Sequence, residues 1–304
     1  MHPERTNPER VRKAPGRIVW VTAGLLLSAC GGGGGGETGT EAVVVEGDFP
    51  VVFAKRDVAA VGNPTDGTIF RPGGDLMLRD LSSPSAETVN ITASYTQGTG
   101  DVSDPEVSYD GRRVLFSMRG PNDRTWNVWE YDLDTEGLHR LIGDDAVADE
   151  GDDVDPAYLP DGRIIFSSNR QEKSRAVLAA DNVEPYPHLD EYERERAILL
   201  HIMNGDGTEI RQISFNQSHD RNPTVLSTGE IMFARWDHVG NNNHFPIFFS
   251  NPDGTNMFVQ YGAFSPGNSF LHPREMPDGR VLSSLTVSYT HLTLPTNVSK
   301  CRCR

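Results

Sequence analysis

The chain has 304 residues, of which 43 are acidic and 28 basic, so its formal net charge at pH 7 is −15. Such an acidic chain is not a general nucleic-acid binder, because phosphate contacts need a basic face. Its hydrophobic content of 37% suffices for a buried core, and its 30 glycines and 20 prolines favour turns and strands over helices.

Residues 1–29 are typical of a bacterial lipoprotein signal peptide. A basic stretch precedes a short apolar run, and Leu27-Ser28-Ala29-Cys30 resembles the lipobox, at which the peptide is cut before a cysteine that carries lipid. We therefore predict lipidation of Cys30, with residues 30–49, which include Gly31–Gly36, as a flexible tether. The predicted location is the bacterial cell envelope, at the outer membrane facing the periplasm. A plain secretory signal is the alternative, but it leaves the cysteine and the glycine run unexplained.

Four segments of the middle region share one pattern. In each, a polar residue and a proline are predicted to open a short strand, a turn containing glycine follows, and a second, apolar strand completes a hairpin. The segments begin at Asp104, Asp155, Asn222 and His272, and their turns are Asp110-Gly111, Asp161-Gly162, Thr228-Gly229 and Asp278-Gly279. The polar residue is predicted to hydrogen-bond the start of the next strand. Two more strands follow each of the first three hairpins, so the predicted unit is a four-stranded antiparallel meander.

Repetition of this unit predicts an all-β fold, a β-propeller of four-stranded antiparallel blades over residues 50–286. A β-sandwich is the alternative, but it gives no reason for the unit to recur. The first blade, at about 50–94, lacks its opening strand, which we expect EAVVV (41–45) or a segment beyond the C-terminus to supply. The predicted propeller is thus truncated, with about four blades and the start of a fifth, and we expect it to aggregate when expressed alone. Residues 171–197 are predicted to be an inserted loop.

Two groups of polar residues are candidates for metal binding. One is an acidic loop, since hard cations such as calcium bind carboxylate oxygens. The other is a set of histidines and an aspartate near strand ends, which could bind zinc or iron. The candidate ligands are Asp149, Asp152, Asp153, His219, Asp237, His238 and His244. Neither group has the spacing of a known metal motif, so the alternatives are a solvated loop and structural histidines.

Residues 287–304 differ in character from the rest of the chain. Back-translation of Val287–Thr296 resembles a transposase adaptor of DNA sequencing libraries, and Lys300-Cys301-Arg302 continues it. We therefore expect residues 287–304 to be an artefactual tail that packs against nothing specific. Without the two tail cysteines, Cys30 is the only cysteine, which excludes a disulfide or a cysteine metal site.

The segment Asp155–Ser168, which contains Asp-Pro, Pro-Asp-Gly and the strand IIFSS, resembles the repeat of TolB-type propellers. Residues 203–238 are similar to the propeller middle domain of hydrazine synthase alpha subunits and their relatives. The resemblance implies a propeller over about residues 50–285. Those synthases work through c-type haems attached at Cys-x-x-Cys-His, a motif that this sequence lacks, so hydrazine chemistry is not implied and no cofactor is expected.

The sequence contains neither a G-x-S-x-G nucleophile elbow nor a phosphate-binding loop, and we expect no catalytic activity in this region. The leading hypothesis is a lipid-anchored, non-catalytic binding or scaffold module of the cell envelope. Its expected partners are the membrane and an envelope protein or small-molecule ligand, and not nucleic acid. The alternative hypothesis is an accessory propeller of an envelope enzyme, hydrazine-synthase-alpha-like or prolyl-oligopeptidase-like, whose catalytic part lies beyond residue 286.

Overall fold

A computed structural model describes residues 49–60, 62–83, 85–183, 186–239, 242–265, 268–287 and 298–301. The predicted signal peptide, Cys30, almost all of the tether and the segment EAVVV lie outside these residues. Within them, the strands form five sheets of three or four strands and one separate two-stranded hairpin. Every pairing between named strands is antiparallel.

The sheets follow one another along the chain. The first contains β1 (Val51–Lys55), β2 (Asp75–Arg79) and β3 (Thr88–Asn90). The second contains β4 (Asp101–Val107), β5 (Arg113–Arg119), β6 (Asn127–Asp132) and β7 (Gly137–Arg140). The third contains β8 (Asp153–Tyr158), β9 (Ile164–Ser168), β10 (Leu199–Met203) and β11 (Arg211–Gln212).

The fourth sheet contains β12 (Asp220–Val225), β13 (Ile231–Arg235), β16 (Ile247–Ser250) and β17 (Phe258–Tyr261). The separate hairpin, β14 (Asp237–Val239) and β15 (Asn242–His244), lies between β13 and β16 in the chain. The fifth sheet contains β18 (Asn268–Glu275), β19 (Val281–Val287) and β20 (Val298–Cys301). The helices are a 3-10 turn (Val58–Ala60), α1 (Ala93–Thr96), α2 (Asp145–Ala148) and α3 (Glu172–Ala180). The insertion predicted at 171–197 therefore begins with a helix.

Neighbouring sheets pack face to face, and the hydrophobic core lies in the layers between them. The first strands contact one another in succession, from β4 to β8 to β12 to β18, and β1 contacts β4. One apolar layer separates each pair of consecutive sheets from the first to the fifth. The first strands therefore surround a common axis, and each sheet is covered by its neighbouring sheets rather than by helices.

Strands β5 and β9 show why a sheet needs neighbours on both sides. On β5, Phe116 faces the layer towards the first sheet, whereas the adjacent Leu115 faces the third sheet. On β9, Phe166 faces the second sheet and Ile165 the fourth. All four side chains are fully buried. Successive side chains of a strand point to opposite faces, so an uninterrupted apolar run places one strand in two cores.

The polar residue and proline of each repeat lie inside the first strand, and not at its start as predicted. Strand β4 begins at Asp101, before Asp104-Pro105, and its register against β5 shifts at the proline. The register shifts at the equivalent proline in β8, β12 and β18. Proline donates no backbone hydrogen bond, so a strand accommodates it at a bulge, where a residue leaves the ladder.

The predicted hairpin turns are confirmed. Gly162 has a φ of 86°, in the left-handed region that glycine adopts without steric cost, and the glycines of the other three turns also have positive φ. The described part of the first sheet has three strands, in the order β1-β2-β3. The segment EAVVV (41–45), one predicted source of the opening strand of this blade, lies outside the described residues.

The expectation that residues 287–304 pack against nothing specific was wrong for the backbone of Val287, which pairs with Asn268, and for that of Val298–Cys301. The backbone of this segment, strand β20, pairs with Val281–Ser284 of β19. Strand β19 would otherwise present an unpaired edge, and backbone hydrogen bonds of this kind make little demand on the side chains of the added strand. The pairing therefore does not bear on the origin of the tail.

Ion pairs join the start of the first strand to the end of the second strand in two of the sheets. Arg170 donates to Asp153 at 3.0 and 2.5 Å, and both side chains are almost completely buried. Arg235 makes the equivalent bidentate pair with Asp220 at 2.7 and 2.8 Å. In the second sheet, Asp101 instead accepts from Arg56, which follows β1, so this pair joins two sheets.

We predict that Arg170→Met will destabilise the fold by about 3–5 kcal/mol, because the Asp153 carboxylate is then left buried without its partner. Arg163→Met is the matched control. Its ion pair with Asp161 is much more exposed, and we expect a loss of at most about 1 kcal/mol. The free energy of unfolding of both variants is measured by urea denaturation. Equal losses in the two variants would contradict the structural importance of the buried pair.

Candidate functional site

Each first strand from β4 to β18 places one residue in the left-handed backbone region, directly before the proline of its bulge. These residues are Asp104, Asp155, Asn222 and His272, with φ values of 53°, 53°, 52° and 48°. Residues other than glycine rarely adopt this conformation, and Asn, Asp and His are enriched among those that do. Because the four residues occupy equivalent positions on strands that surround one axis, we call them the axial ring.

The axial ring joins neighbouring sheets through hydrogen bonds. Asp155 accepts from the backbone N–H of Asn222 and from its Nδ2, both at 3.0 Å. Asn222 Oδ1 in turn accepts from the backbone N–H of His272 at 3.3 Å. The sequence predicted a hydrogen bond to the start of the next strand, whereas the observed partners of Asp155 and Asn222 lie inside the first strand of the following sheet. The N–H groups need such acceptors because they lie at bulges, where the ladder is interrupted.

Asp104 and Asp155 form a pair of carboxyl groups at the axis. Burial, followed by the negative charge of Asp155, raises the pKa of Asp104 to about 7. Burial also acts to raise the pKa of Asp155, but Arg221, whose Nε lies 3.8 Å from Oδ2, holds that pKa below its usual value. Asp155 is therefore the ionised member of the pair, and Asp104 exchanges its proton near pH 7.

A cavity of about 330 Å³ lies beside the axial ring, and Asp104 and Asp155 line it. Trp126 and Arg221 also line this cavity, and neither Trp126 Nε1 nor Arg221 Nε has a hydrogen-bond partner. Buried donors in native proteins are nearly always satisfied by protein, water or ligand. The volume lies at the lower end of the range of about 300–1,000 Å³ that is usual for small-molecule pockets.

Six residues of the segment 62–69, in the connection between β1 and β2, line the cavity, and we call this segment the covering loop. Arg194, from the insertion, donates from Nη2 to the carbonyl oxygen of Thr65 at 2.7 Å and pairs through Nη1 with Asp66 at 3.2 Å. Arg221 Nη1 donates to the carbonyl oxygen of Asp66 at 3.1 Å. Arginines from later sheets therefore hold a loop of the first sheet over the cavity.

One group of three potential metal ligands occurs in the described part of the chain: Asp190, Glu195 and His219, whose ligand atoms lie within 4.8 Å of one another. The Ile198 backbone N–H donates to Nδ1 of His219 at 3.1 Å. Burial lowers the pKa of His219 to about 3, so the ring is neutral and its proton resides on Nε2. A metal at Nε2 would require this proton to move to Nδ1, against the Ile198 donor. The group therefore fits hydrogen bonding, direct or through water, better than metal ligation.

The three acidic-loop candidates each contact a donor or cation of the protein. Asp149 lies 3.9 Å from Arg124, Asp152 accepts from the backbone N–H of Trp126 at 2.9 Å, and Asp153 pairs with Arg170. These contacts occupy oxygens that a cation would need. These contacts fasten the acidic loop to the neighbouring strands. The alternative to metal binding that the sequence suggested was a solvated loop.

Three further candidates, Asp237, His238 and His244, lie on the β14–β15 hairpin. Asp237 is opposite His244 in the register of this hairpin, and His238 Nδ1 contacts a carboxylate oxygen of Glu191. Burial lowers the pKa of His244, so its ring is neutral. Within the described residues, no three of the seven predicted ligands come together in one group.

Sequence reasoning missed the carboxyl pair, the cavity and the covering loop. A signal for the pair was present, since Asp104 and Asp155 occupy the same position of the repeat and equivalent positions converge around an axis. For Arg194 and Asp66 there was none, because their positions are far apart in sequence and belong to no shared motif.

Comparison with known proteins shows a similarity of fold. No protein-family model and no curated protein sequence matches the chain. Hydrazine synthase of Kuenenia stuttgartiensis superposes with a TM-score of 0.61 at 17% identity, over 79% of this chain and 36% of that one. The chain is a β-propeller. Its five sheets are blades, their first strands are the inner strands, and the axial ring lies on the propeller axis.

Two bacterial TolB structures are further neighbours of this propeller. TolB from Acinetobacter baumannii has a TM-score of 0.44 at 17% identity, over 71% of this chain and 46% of that one. A putative TolB from Agrobacterium tumefaciens has a TM-score of 0.43 at 17% identity, over 62% and 56%. The all-β propeller fold predicted from the sequence is confirmed by the sheets and by the superposition on hydrazine synthase, and this propeller spans about one third of the hydrazine synthase chain.

We predict that the Asp104→Asn variant becomes more stable relative to wild type as the pH rises from about 4 to 7. Because the pKa of Asp104 is raised by folding, the folded state keeps a proton that the unfolded state loses between about pH 4 and 7. The stability that Asp104 contributes is therefore complete below about pH 4 and is lost as the pH approaches 7. The loss of unfolding free energy in wild type is at most about 1.4 kcal/mol per pH unit. Solvent in the cavity makes it smaller than this limit.

Urea denaturation of wild type and Asp104→Asn at pH 4.5, 6, 7 and 8 measures this effect. The difference in unfolding free energy should grow between pH 4.5 and 7 and then become constant. A difference that does not change with pH would show that Asp104 has an ordinary pKa. Asparagine tolerates the left-handed backbone of this position as well as aspartate does, so the variant tests the carboxyl group alone.

A second prediction concerns the covering loop. Arg194→Ala removes a charged hydrogen bond to the Thr65 carbonyl, worth about 1.5–3 kcal/mol, and a half-exposed ion pair with Asp66, worth at most about 1 kcal/mol, so amide hydrogen exchange in residues 62–69 should accelerate about tenfold or more. Arg175→Ala, which removes an ion pair between α3 and Glu150, is the control and should leave that exchange unchanged. Unchanged exchange in Arg194→Ala would mean that other contacts suffice to hold the loop.

Proposed function

We propose that this chain is a non-catalytic binding module of the bacterial cell envelope, with the axial cavity as its binding site. The observation that carries the proposal is the set of convergent polar groups around one cavity. Asp104 lines it with a titratable carboxyl group, while Trp126 and Arg221 each present a donor without a hydrogen-bond partner. Convergent polar groups in a concave site are what small-molecule recognition requires.

Binding is a better interpretation of this site than catalysis. A pair of carboxyl groups with separated pKa values could perform acid–base chemistry. However, both oxygens of Asp155 accept hydrogen bonds from Asn222, and Arg221 pairs with the same carboxylate. Asp155 is thus held in place as a fixed negative charge, which suits the binding of a ligand.

The envelope location rests on the N-terminal sequence. Leu27-Ser28-Ala29-Cys30 and Gly31–Gly36 have the order of a lipidation site followed by a tether. Within the described residues, no helix is long and apolar enough to cross a bilayer. A diacylated cysteine would hold the propeller at the membrane surface, and a glycine at position 31 favours the outer membrane, facing the periplasm.

The anchor is tested by Cys30→Ala. We expect wild type to sediment with membranes and to incorporate labelled palmitate, because Cys30 is the only cysteine at a lipobox. The variant should lose the label and be released from the membrane fraction. Retention of the variant in membranes, without any lipid label in wild type, would overturn the anchor and leave the cavity proposal unaffected.

The binding site is tested by filling the cavity. Leu271 lines the cavity and is only partly buried, so Leu271→Trp should obstruct it at small cost to the fold. Ligand-observed NMR of the full chain in detergent, with a mixture of small amines, carboxylic acids and sugars, should show binding to wild type that is lost in Leu271→Trp. Val89→Trp, at an exposed position of β3, should bind as wild type does. Equal binding to all three proteins would exclude the cavity as the site.

A second candidate function is that of an accessory propeller in a larger envelope enzyme. The observation that favours it is the superposition on a segment of hydrazine synthase, which places this fold within a longer chain. The remainder of the gene in the parent genome decides between the two functions. A Cys-x-x-Cys-His or G-x-S-x-G motif in the same reading frame would favour the enzyme, and its absence would favour the binding module.

A further inference from the structure

The charged groups of the axial cavity leave one negative charge without a partner when both carboxyl groups are ionised. The charged residues that line it are Arg56, Asp104, Asp155 and Arg221. Arg56 is neutralised by Asp101, from which it lies 2.6 and 2.8 Å away. Arg221 therefore balances only one of the two carboxylates. At neutral pH and without ligand, the proton of Asp104 supplies the missing positive charge.

We propose that the axial cavity binds a small primary amine, whose ammonium group takes the place of the proton between Asp104 and Asp155. This inference rests on the proposed function and names the class of its ligand. An ammonium group has a single charge and three N–H donors, so it can donate to both carboxyl groups at once. A carboxylate has about four lone-pair sites, so Asp155 can accept an ammonium while it keeps its bonds to Asn222.

A divalent metal ion fits this cavity less well than an ammonium group. Calcium prefers several anionic oxygen ligands, whereas the only anionic oxygens in the described lining are those of two carboxyl groups, one of which already accepts two hydrogen bonds. A second positive charge would also lie beside Arg221, with no carboxylate left to balance it. The single net charge of the cavity therefore selects a monovalent cation.

The other free groups of the cavity indicate the rest of the ligand. Trp126 Nε1 and Arg221 Nε lack hydrogen-bond partners, so the ligand should carry an acceptor oxygen. That oxygen should be neutral, because a carboxylate would restore the uncompensated negative charge. Apolar side chains, among them Val154 and Leu271, complete the wall. An amino alcohol with a short aliphatic body combines these features.

Binding of an amine in place of a proton must depend on pH. The groups that face Asp104 are Asp155, Ser103, Arg56, Arg221 and His272. Desolvation lowers the pKa of His272 to about 4, so it is neutral above pH 5. Asp104, by contrast, titrates near pH 7, and its protonated form competes with the amine. Affinity should therefore weaken about tenfold per pH unit below pH 7 and be constant above it.

The experiment compares L-leucinol with N-acetyl-L-leucinol by calorimetry on the full chain in detergent, between pH 5.5 and 8. The amine of leucinol stays protonated over this range, whereas the acetylated compound keeps the hydroxyl and the aliphatic body but has no ammonium group. We expect leucinol to bind with the pH dependence given above and the acetylated compound to bind at least tenfold more weakly. Asp104→Asn should weaken leucinol at least tenfold and remove its pH dependence, and the exposed Asp134→Asn should change neither.

The outcomes separate this inference from the proposed function. Equal binding of both compounds, abolished in Leu271→Trp, would overturn the amine inference and leave the cavity as a binding site. Binding of leucinol that is independent of pH would overturn the exchange with the Asp104 proton. Displacement of leucinol by micromolar manganese or calcium would identify a metal site instead. If leucinol and all other probes fail to bind wild type, the proposed function fails as well. The two leucinol compounds and the pH series use wild type, so the test does not depend on the folding of a variant.

Discussion

A strand that is apolar on both faces needs a packing partner on each side, and this constraint determines the architecture of the whole chain. Leu115 and Phe116, neighbours on β5, are each fully buried in a different core. A pair of sheets would cover only one of these faces. Successive sheets must therefore stack face to face in chain order, and the twist of each sheet turns the stack around an axis.

Stacking around an axis creates the conditions for the candidate site. The inner strands converge there, and the space between them narrows, so their bulges turn short polar side chains towards one another. Asn222 serves well in this position because its amide can both donate and accept. Asp104 and Asp155 are less compatible, since two adjacent carboxylates repel each other. The repulsion is relieved by a proton on one and by Arg221 beside the other. The raised pKa of Asp104 and the lowered pKa of Asp155 are thus a consequence of the repeat, which places two carboxyl groups side by side.

The parts of the chain that depart from the repeat give the site its enclosure. The covering loop replaces a tight turn after β1, and the insertion between β9 and β10 supplies Arg194 to hold it. The same insertion carries Asp190 and Glu195 to the buried ring of His219. Regular strands provide a rigid frame, whereas the covering loop lines one side of the cavity and the insertion holds that loop through Arg194. Segments of this kind commonly carry specificity in repeat scaffolds.

The sequence by itself determined what depends on neighbouring residues. Asp161-Gly162 specifies a hairpin turn, the run IIFSS specifies a strand buried on both faces, and the recurrence of this unit specifies a propeller, because each signal arises within a few residues or repeats at a regular interval. Tertiary structure alone decided the rest. Whether Asp155-Pro156 opens a strand or forms a bulge depends on its pairing with β9, and the pKa of Asp104 depends on its distance from a residue of the next blade. The proton of His219 is on Nε2 because Ile198, in a different strand connection, donates to Nδ1. Charge, desolvation and hydrogen bonding act through space, so the chemistry of this site appears only when the blades are brought together.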